Sequence, residues 1–355
     1  MAEIILLVED PGAANMAACI PGRLKELNRQ AHLYASSHAK SVLRSRSKKF
    51  YEWDGNAKDL LAFEKPKMVI VGTSGNKDSL SLRLTKESKR QLIPTVGLVD
   101  MSVNASNRFR GRTDNPLEYA TDHLIVADED VQSEFIHLGY PSDRIVNLGN
   151  PAFQRAYSLR LRRDGYARQQ RVKKKLLFVA DGWDPFGKKI KKNTSEGTMI
   201  GRGGSAWRTE IVLEELIDAL KSLELDVNIY VRPQPKMSPD DFSKYSDEVF
   251  FDESKNVFDT LAEVDVVVGM TSTLIAEAAA MGCPVLSIVT GSQETQFLYP
   301  LKHGHIPCAT TRAELVEALP SLFSGELKAS EVHEWASLCA EEDIAAFIAG
   351  LISRI

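Results

Sequence analysis

The sequence predicts an α/β protein built from two doubly wound domains, and three observations support this fold class. The chain has 355 residues, which is long for a single hydrophobic core. Short apolar runs typical of buried parallel strands recur along it, with helical segments between them. These runs form two series, and a strongly basic stretch at 155–175 separates them.

The first series predicts an N-terminal domain over residues 1–154. Its strands are expected at IILLV (4–8), MVIVG (68–72), TVGLV (95–99) and HLIVA (123–127). The loop after the first strand, VEDPGAAN (8–15), contains only Gly12 before Gly22, so it lacks the G-x-G-x-x-G fingerprint of dinucleotide-binding loops. Its DPG tripeptide instead predicts a tight turn.

The basic stretch at 155–175 carries nine basic side chains and a single acidic one, Asp164. A segment with this charge density is expected to bury little surface, so we interpret it as a linker between the domains. A solvated helix face is the favoured interpretation. The alternative is contact with an anionic lipid surface or with a phosphorylated acceptor. Contact with the lipid surface would make the protein peripheral to a membrane.

The second series predicts a C-terminal domain over residues 176–330, followed by a helical tail at 331–355 that packs back on the body. The expected strands of this domain are LLFVA (176–180), VNIYV (227–231), VFF (249–251), VDVVVG (264–269) and PVLSIV (284–289). Helices are expected at about 209–223 and from about Leu274 onward. Each domain therefore alternates strands and helices, as a doubly wound fold requires.

Composition and charge restrict the function classes. The formal net charge of −4 and the pI near 6.0 argue against binding to nucleic acid, which needs a strongly basic face. The four cysteines are scattered without a C-x-x-C pair, so the sequence predicts neither a disulfide framework nor a zinc site and favours a reducing cytoplasm. Neither a signal peptide nor an apolar run long enough to span a bilayer is predicted.

The most specific stretch is VDVVVGMTSTLIAEAAAMGCPVLSI, residues 264–288. A buried strand is expected to end at Gly269, hydroxyl side chains follow at the predicted start of a helix, and Glu277 lies one turn further on. Helix N-termini carry partial positive charge and unpaired N–H donors, so they suit phosphate groups. The alternative is that these Ser and Thr residues only cap the helix.

This segment resembles the C-terminal-domain signature of the GT-B superfamily, which comprises glycosyltransferases and the related UDP-N-acetylglucosamine 2-epimerases. MTST, Glu277 and AMGCPVL match that signature at its spacing. A second stretch, DHLIVADEDVQSEFIHLGYPSDRIVNLGNPAF (122–153), resembles the end of the N-terminal domain in these enzymes. The resemblance implies two Rossmann-like domains that face an interdomain cleft. It also implies contacts to a nucleotide-sugar donor from Met270, Thr271, Ser272, Thr273 and Glu277.

A third stretch, YVRPQPK (230–236), is similar in position to the His-Pro motif of bacterial sialyltransferases, Kdo transferases and glycerophosphotransferases. Gln234 stands in place of the histidine that contacts the donor phosphate in those enzymes. Arg232 or Lys236 would then supply the positive charge. The alternative is a proline-rich strand exit without a binding role.

A fourth candidate for the donor site is the stretch at 180–208, where Asp181, Gly182 and Asp184 follow a predicted strand. The Gly- and Lys-rich residues after them are interpreted either as a lid over the donor or as a surface hairpin. The resemblance implies a histidine-bearing motif on this strand exit in retaining or 2-epimerase families. Residues 138–302 contain no histidine, which counts against epimerase chemistry.

The resemblance also implies that an acceptor binds against the N-terminal domain. In VGLVDMSVNASNRFRG (96–111), Asp100 is the first candidate for the base that deprotonates an acceptor hydroxyl, and Asn104 and Arg108 are candidates to bind a polar acceptor. The alternative for Asp100 is a structural role in capping the next helix. Asp10 is the second candidate base, and the sequence does not separate the two acids. The turn at Asp10 is expected to bring further acceptor contacts to the floor of the cleft, namely Glu9, Gly12 and Asn15.

Together these patterns predict a metal-independent GT-B glycosyltransferase without a cofactor, because the sequence contains neither a metal-ligand cluster nor a D-x-D motif. A sugar would pass from a CMP- or UDP-linked donor to a glycan or lipid-linked acceptor, in surface polysaccharide biosynthesis. Closure of the cleft would exclude water and align the two substrates. The alternatives are a UDP-sugar 2-epimerase-like enzyme and a catalytically silent protein that binds nucleotide sugars.

Overall fold

A computed structural model describes residues 2–166, 173–182, 199–205, 207–235 and 237–354. The chain divides into two compact units. Unit 1 comprises Met1–Gln154 together with Ala336–Ile355, and unit 2 comprises Arg155–Trp335. Each unit is built around its own parallel β-sheet.

The strands are numbered in chain order: β1 (Ile4–Val8), β2 (Ala31–Ala35), β3 (Tyr51–Glu52), β4 (Met68–Gly72), β5 (Thr95–Val99), β6 (His123–Val126), β7 (Ile145–Asn147), β8 (Lys174–Val179), β9 (Val227–Arg232), β10 (Phe250–Phe251), β11 (Val266–Gly269), β12 (Val285–Ile288) and β13 (Cys308–Ala309). The sheet order is β3-β2-β1-β4-β5-β6-β7 in unit 1 and β10-β9-β8-β11-β12-β13 in unit 2. In each sheet the chain runs from the middle to one edge and then fills the other side. This reversal places a topological switch point between β1 and β4 and another between β8 and β11.

The α-helices are likewise numbered in chain order: α1 (Pro11–Ala17), α2 (Ile20–Glu26), α3 (Ala39–Ser45), α4 (Ala57–Glu64), α5 (Leu80–Arg90), α6 (Ala105–Arg108), α7 (Glu129–His137), α8 (Pro151–Ser158), α9 (Arg160–Tyr166), α10 (Arg208–Ser222), α11 (Val257–Glu263), α12 (Thr273–Ala280), α13 (Tyr299–Lys302), α14 (Arg312–Ser324) and α15 (Ala340–Ile352). Short 3-10 turns lie at Ser142–Arg144, Pro239–Tyr245, Ser292–Phe297 and Val332–Glu334. Several helices begin at side-chain caps. Ser79 and Asp128, for example, accept hydrogen bonds from amides in the first turns of α5 and α7.

The structure confirms the predicted α/β fold class and the strands of both apolar series. β1, β4 and β5 are buried along their whole length in the centre of the unit 1 sheet, which is why their sequences are continuous apolar runs. The sequence does not predict β2, β3, β7 or β13. These strands are short or partly exposed, so they lack such a run.

Alternate side chains of β1 enter two different core clusters of unit 1. Leu6 packs in the core that also contains residues of α1, α2 and α15, whereas Leu7 packs in the core that contains residues of α4 and α5. Helices therefore cover both faces of this sheet, as the doubly wound pattern requires. None of the helices in the described ranges is both long and apolar enough to cross a membrane.

The basic stretch at 155–175 is not a solvated linker throughout. α8 and α9 cover its first part, and Arg163 is buried. Its guanidinium donates hydrogen bonds to the carbonyl oxygens of Leu261 (3.0 Å), Val264 (2.7 Å) and Asp265 (2.9 Å). The expectation that this stretch buries little surface is therefore wrong at Arg163, because carbonyl acceptors replace the water that its guanidinium loses.

The described lysines of this stretch and Arg162 lie beside acidic partners. The ion pairs are Arg162–Asp259, Lys173–Asp226, Lys174–Asp265 and Lys175–Glu263. They leave less free positive charge than the sequence suggests, and contact with an anionic surface stays a prediction. Residues 167–172 of the stretch lie outside the described residues.

The predicted tail at 331–355 is shared between the two units. Val332 and Trp335 belong to unit 2, whereas α15 belongs to unit 1 and packs against α2. Ile344 and Ile348 of α15 are fully buried in the core that contains Leu6. Unit 1 is therefore formed from two separate parts of the sequence.

Candidate functional site

In unit 1, polar residues collect at the carboxyl ends of β1, β4 and β5, beside the switch point. Glu9 directly follows β1, and its carboxylate accepts hydrogen bonds from the backbone amides of Leu80 (2.9 Å) and Ser81 (2.8 Å) in the first turn of α5. These bonds place a negative charge at the positive end of that helix. They give Glu9 a structural role, and its contact with an acceptor stays a prediction.

Asp100 follows β5 and lies against Gly12. A Cβ atom built on Gly12 would lie only 1.6 Å from Oδ2 of Asp100, so the close approach of this carboxylate requires glycine. Gly12 belongs to the first turn of α1, which begins at Pro11, so the DPG tripeptide starts a helix and does not form the predicted tight turn. Asp10 occupies the N-cap position, where its side chain makes no capping hydrogen bond. The structure thus brings Asp100 to the segment that contains Asp10 and Gly12.

Arg108 holds Asp100 in this position. Its Nη1 atom lies 3.1 Å from Asp100 Oδ1 and donates to Thr73 Oγ1 at 2.9 Å, while Nη2 donates to the carbonyl oxygen of Met101 at 3.0 Å. The Arg108 side chain is 7% exposed, and its Nε atom has no hydrogen-bond partner within the described residues. Arg108 therefore retains one buried N–H donor that is not satisfied within the described residues.

Asn104 and Asn15, the other predicted acceptor residues, lie at the start of α6 and within α1. Asn104 is exposed at the start of α6 with a left-handed backbone (φ 58°), a conformation that asparagine tolerates better than most residues. Its side chain makes no capping hydrogen bond. Asn15 lies in α1 and is half-buried. Contact of these two residues with an acceptor stays a prediction.

Thr73 and Ser74 are buried residues of this site that the sequence analysis missed. They directly follow β4, and the Thr73 hydroxyl bonds to Arg108 and donates to the carbonyl oxygen of Leu98. The available signal was the stretch VGTSG at 71–75, in which small hydroxyl residues come immediately after a buried strand. That pattern is typical of the carboxyl edge of a parallel sheet, where ligands bind.

In unit 2, a comparable cluster surrounds Arg208, the first residue of α10. Its Nη2 donates to Thr271 Oγ1 at 3.1 Å, and its Nη1 lies 3.5 Å from Asp181 Oδ2. Thr271 in turn donates to Asp181 Oδ2 at 3.0 Å. Asp181 follows β8 and Thr271 follows β11, so the cluster spans the switch point of unit 2. The structure brings these two predicted donor residues together, and each already has the other as a partner.

Glu294 completes the cluster in unit 2 and was missed from the sequence. One carboxylate oxygen accepts from Arg208 Nε, and the other accepts from the amide and the hydroxyl group of Thr290. The side chains of Arg208 and Glu294 are 1% and 0% exposed. Local patterns could not reveal this pair, because 86 residues separate its members. The pair satisfies two charges that could not be buried alone.

The predicted donor segment before and along α12 divides into buried and accessible parts. Met270 is fully buried, and its carbonyl oxygen accepts a hydrogen bond from Ser287. Ser272 is the N-cap of α12, and its hydroxyl accepts from the amide of Leu274. Ser272 and Thr273 are half-buried, whereas Glu277 is buried. Ser272 therefore caps the helix, and a contact from its hydroxyl to a donor stays a prediction.

Arg232, at the end of β9, bonds to residues that follow β10. Its Nη1 forms an ion pair with Asp252 and donates to the carbonyl oxygen of Ser254 at 3.2 Å. Asp252 therefore neutralises the charge that the sequence analysis assigned to a donor phosphate. Gln234 instead lies beside Gly182, where a Cβ atom on the glycine would be 2.7 Å from Gln234 Oε1. Gln234 and Gly182, both predicted donor residues, are therefore neighbours in space.

The described part of the predicted lid, residues 199–205, is attached to α10. Glu214 accepts a hydrogen bond from the amide of Arg202 (2.7 Å), and Glu215 accepts one from the amide of Gly201 (2.9 Å). These bonds hold this part of the stretch on α10, and residues 183–198 of the predicted lid lie outside the described residues. Asp184 and Lys236, which the sequence analysis also considered, lie outside the described residues.

The four cysteines are free thiols. Burial raises the pKa of Cys19 and of Cys308 to about 12, so both are protonated at neutral pH. Across the described ranges, no three His, Cys, Asp or Glu side chains are grouped as a metal site would require. Independence of metals and cofactors stays a prediction.

Comparisons with known proteins connect both units to one fold. Residues 203–335 match a family described as "Protein of unknown function (DUF354)". A search of curated protein sequences finds no match to this chain. Among solved structures, the S. aureus MnaA-UDP co-structure is similar with a TM-score of 0.67 at 15% identity, covering 100% of this chain and 98% of that one.

Two further structures extend the comparison. A UDP-GlcNAc 2-epimerase from Methanocaldococcus jannaschii, in complex with UDP-GlcNAc and UDP, has a TM-score of 0.67 at 11% identity, with 98% of this chain and 99% of that chain covered. The wall teichoic acid polymerase TagF, soaked with CDPG, has a TM-score of 0.57 at 16% identity, with 99% and 90% covered. Identities this low show the fold alone. The resemblance noted in the sequence is confirmed at that level, and the chain is a protein of the GT-B fold.

Proposed function

We propose that this protein is a glycosyltransferase that moves a sugar from a nucleotide donor to a hydroxyl group of a glycan or lipid-linked acceptor. The observation that carries the proposal is the Asp100 carboxylate, which lies against Gly12 at the switch point of unit 1 and is held by Arg108. Transfer to a hydroxyl group needs a base on the acceptor side. The similar structures are named for complexes with UDP, UDP-GlcNAc and CDPG, which supports a nucleotide-linked donor.

The surroundings of Asp100 suit the role of base. Its side chain is 11% exposed, one oxygen faces the Arg108 guanidinium, and the other lies over a glycine without a side chain. Arg108 fixes the orientation of the carboxylate, and the missing Cβ at residue 12 makes room for its second oxygen. An acceptor hydroxyl would reach the carboxylate through its solvent-exposed part. In the proposed step, the acceptor oxygen bonds to the anomeric carbon as the bond from that carbon to the donor phosphate breaks. The hydroxyl proton passes to Asp100.

We assign the donor to unit 2, at the N-terminus of α12. Ser272 and Thr273 are half-buried there, so donor phosphates can reach the positive end of the helix. That partial charge would stabilise the negative charge that grows on the leaving nucleotide. Asp181 and Thr271, which the sequence analysis assigned to direct donor binding, act in this proposal as supports that hold Arg208 beneath the site. We place the reaction in the cytoplasm, in the synthesis of a surface polysaccharide.

Two measurements test the proposal. A thermal-shift screen with CMP, UDP, GDP and TDP compounds should give a shift for one nucleotide class, because ligands that bind only the folded state stabilise it. With that donor class, Asp100→Asn should lower turnover about 10²- to 10⁴-fold while the thermal shift is retained. Asp10→Asn is the matched control and should have the smaller effect. Full activity of Asp100→Asn would exclude Asp100 as the base.

A 2-epimerase-like activity is the second candidate, and one observation favours it. The M. jannaschii epimerase is similar over nearly all of both chains with a TM-score of 0.67, whereas the value for TagF is 0.57. The absence of histidine from residues 138–302 argues in the opposite direction. Incubation with UDP-GlcNAc in the absence of an acceptor separates the two activities. An epimerase produces a sugar with inverted configuration at C2, and a transferase releases nucleotide only slowly.

A further inference from the structure

Unit 1 contains a second concave surface, which the proposed function does not use. An open groove of about 730 Å³ lies between the start of α4 and the exposed side of α5. Asn56, Lys58, Arg83, Lys86 and Arg90 are among its lining residues. We call it the α4–α5 groove. Its volume lies within the range of ordinary ligand sites.

The α4–α5 groove carries uncompensated positive charge. Four of its lining residues are basic, and Glu87 is the one acidic side chain. Glu87 forms two hydrogen bonds with Arg90, and these bonds, together with one from Gln91, lower the pKa of Glu87 to about 2. Lys58, Arg83 and Lys86 have no ion-pair partner within the residues that the structure describes. Three positive charges therefore remain in the groove.

The sequence of α5 explains why three of the four basic lining residues form a row. Arg83, Lys86 and Arg90 follow one another at spacings of three and four residues, so they share one face of the helix. Leu84, Thr85 and Ser88 are buried on the opposite side. From Arg83 to Arg90 the helix rises about 10 Å. An elongated ligand with several negative charges can pair with this row, whereas a single small anion would engage only part of it.

We infer that the α4–α5 groove binds a negatively charged glycan chain, whose carboxylate or phosphate groups pair with Lys58, Arg83 and Lys86. The groove is concave, and Ala57 is its one apolar lining side chain, so it offers nothing to insert into a lipid bilayer. Its lining includes no aromatic side chain on which a nucleobase could stack. A polyanionic chain of sugars fits the remaining properties: length, repeated charge and polar surface.

This inference rests on the proposed function, because it names the chemical class of the acceptor. Within unit 1, α5 connects the groove to the end of the sheet where the candidate base lies. Arg83 is in the helical turn that follows the amides of Leu80 and Ser81, and those amides bind Glu9. Glu9 is the neighbour of Asp10. A chain bound along α5 would thus extend from the end of the sheet where Asp100 lies.

The test measures binding of a fluorescent oligogalacturonate, an acidic oligosaccharide, to the full chain. The test variant combines Lys58→Gln, Arg83→Gln and Lys86→Gln. The matched control combines Lys25→Gln, Lys255→Gln and Lys328→Gln, three exposed lysines without ion pairs in the described ranges. Both variants lose the same net charge. A neutral maltooligosaccharide and vesicles of phosphatidylglycerol serve as the other ligands.

We expect the unmodified chain and the control to bind oligogalacturonate with an affinity that falls as salt is added, and the groove variant to bind it about tenfold more weakly. Equal weakening in both variants would show nonspecific attraction and overturn the inference. So would no binding, equal binding of the neutral oligosaccharide, or groove-dependent binding of the vesicles alone. The thermal-shift screen with CMP, UDP, GDP and TDP compounds separates the two proposals. If no nucleotide stabilises any variant while the groove result holds, the proposed function fails and the groove remains an anion-binding surface.

Discussion

The two units use the same three residue types at their switch points, with different results. Thr73 follows β4 and Thr271 follows β11, and each hydroxyl accepts a hydrogen bond from an arginine, at 2.9 and 3.1 Å. Each arginine also lies beside an aspartate, at 3.1 Å for Arg108 and Asp100 and 3.5 Å for Arg208 and Asp181. Unit 2 adds Glu294, which accepts from Arg208 Nε. Arg108 Nε has no such partner in the described part of the chain.

We call Arg208, Thr271, Asp181 and Glu294 of unit 2 the closed cluster, and Arg108, Thr73 and Asp100 of unit 1 the open cluster. In unit 2 the Arg208 guanidinium is buried together with two carboxylates, those of Asp181 and Glu294, so removal of Arg208 takes a shared cation from two buried anions. In unit 1 the Asp100 carboxylate remains partly exposed and Arg108 retains an unused N–H. A closed cluster is suited to support, and an open one is suited to contact a substrate. We therefore interpret the unit 2 cluster as a support of the fold and propose the unit 1 cluster as the place of the reaction.

The largest expected effect tests the closed cluster. Arg208→Met should lower the free energy of unfolding by about 3–5 kcal/mol, because it removes the guanidinium that contacts both buried carboxylates, Glu294 and Asp181. Arg108→Met is the matched change in unit 1 and should cost about 1–2 kcal/mol, since Asp100 reaches solvent. Urea denaturation followed by circular dichroism measures both. Equal losses for the two variants would contradict the distinction between the clusters.

Gly12→Ala tests the open cluster. The added Cβ would meet Asp100 Oδ2, so we expect a loss of about 1–3 kcal/mol and displacement of the carboxylate, with loss of turnover. Gly182→Ala in unit 2 is the control, because its added Cβ meets the ends of flexible side chains, Gln234 and Met237. In an Asp100→Ala background the destabilisation by Gly12→Ala should disappear. If it persists there, the glycine is needed for another reason.

Ser272→Ala tests the proposal that the donor binds at the N-terminus of α12 in unit 2, outside the closed cluster. Loss of this N-cap should lower the free energy of unfolding by about 1 kcal/mol. It should also weaken nucleotide binding in the thermal-shift assay. Asn256→Ala, which removes the N-cap of α11, is the control and should cost similar stability without an effect on nucleotide binding. Parallel changes in both variants would place the donor elsewhere.

The smallest expected effect concerns the anchor of the loop that leads to Arg208. Hydrogen bonds from Arg202, and then from Lys221, lower the pKa of Glu248 from its usual 4.5 to about 2. The resulting stabilisation is present above pH 4.5 and is lost as the pH falls from 4.5 towards 2. Because this anchor is partly exposed, we expect about 1 kcal/mol or less.

Glu248→Gln should remove that part of the pH dependence when unfolding is measured at several pH values across this interval. Glu317→Gln, on the exposed side of α14 and without an ion pair in the described ranges, should leave the profile unchanged. An unaltered profile in Glu248→Gln would mean that the loop anchor does not contribute to the stability of unit 2.

The sequence predicts the central strands of the sheets better than the outer ones. β1, β4 and β5 can be predicted because burial on both faces forces continuous apolar runs, whereas β2 and β13 are partly exposed and lack that signal. In the site, Asp100 and Gly12 could be proposed because both follow predicted strands that end at the same edge. Glu294 could not, because its role depends on Arg208, which is remote in the sequence and has no motif of its own.

The origin of unit 1 from two parts of the chain has a consequence for biosynthesis. Domains that fold during translation usually do so from the N-terminus. Here the last helix of unit 1, α15, leaves the ribosome after every residue of unit 2 has been made. Until then the apolar surface that Ile344 and Ile348 cover on unit 1 remains open. Unit 1 therefore stays incomplete while unit 2 is translated. We expect chaperone contact during synthesis to concentrate on that exposed apolar surface.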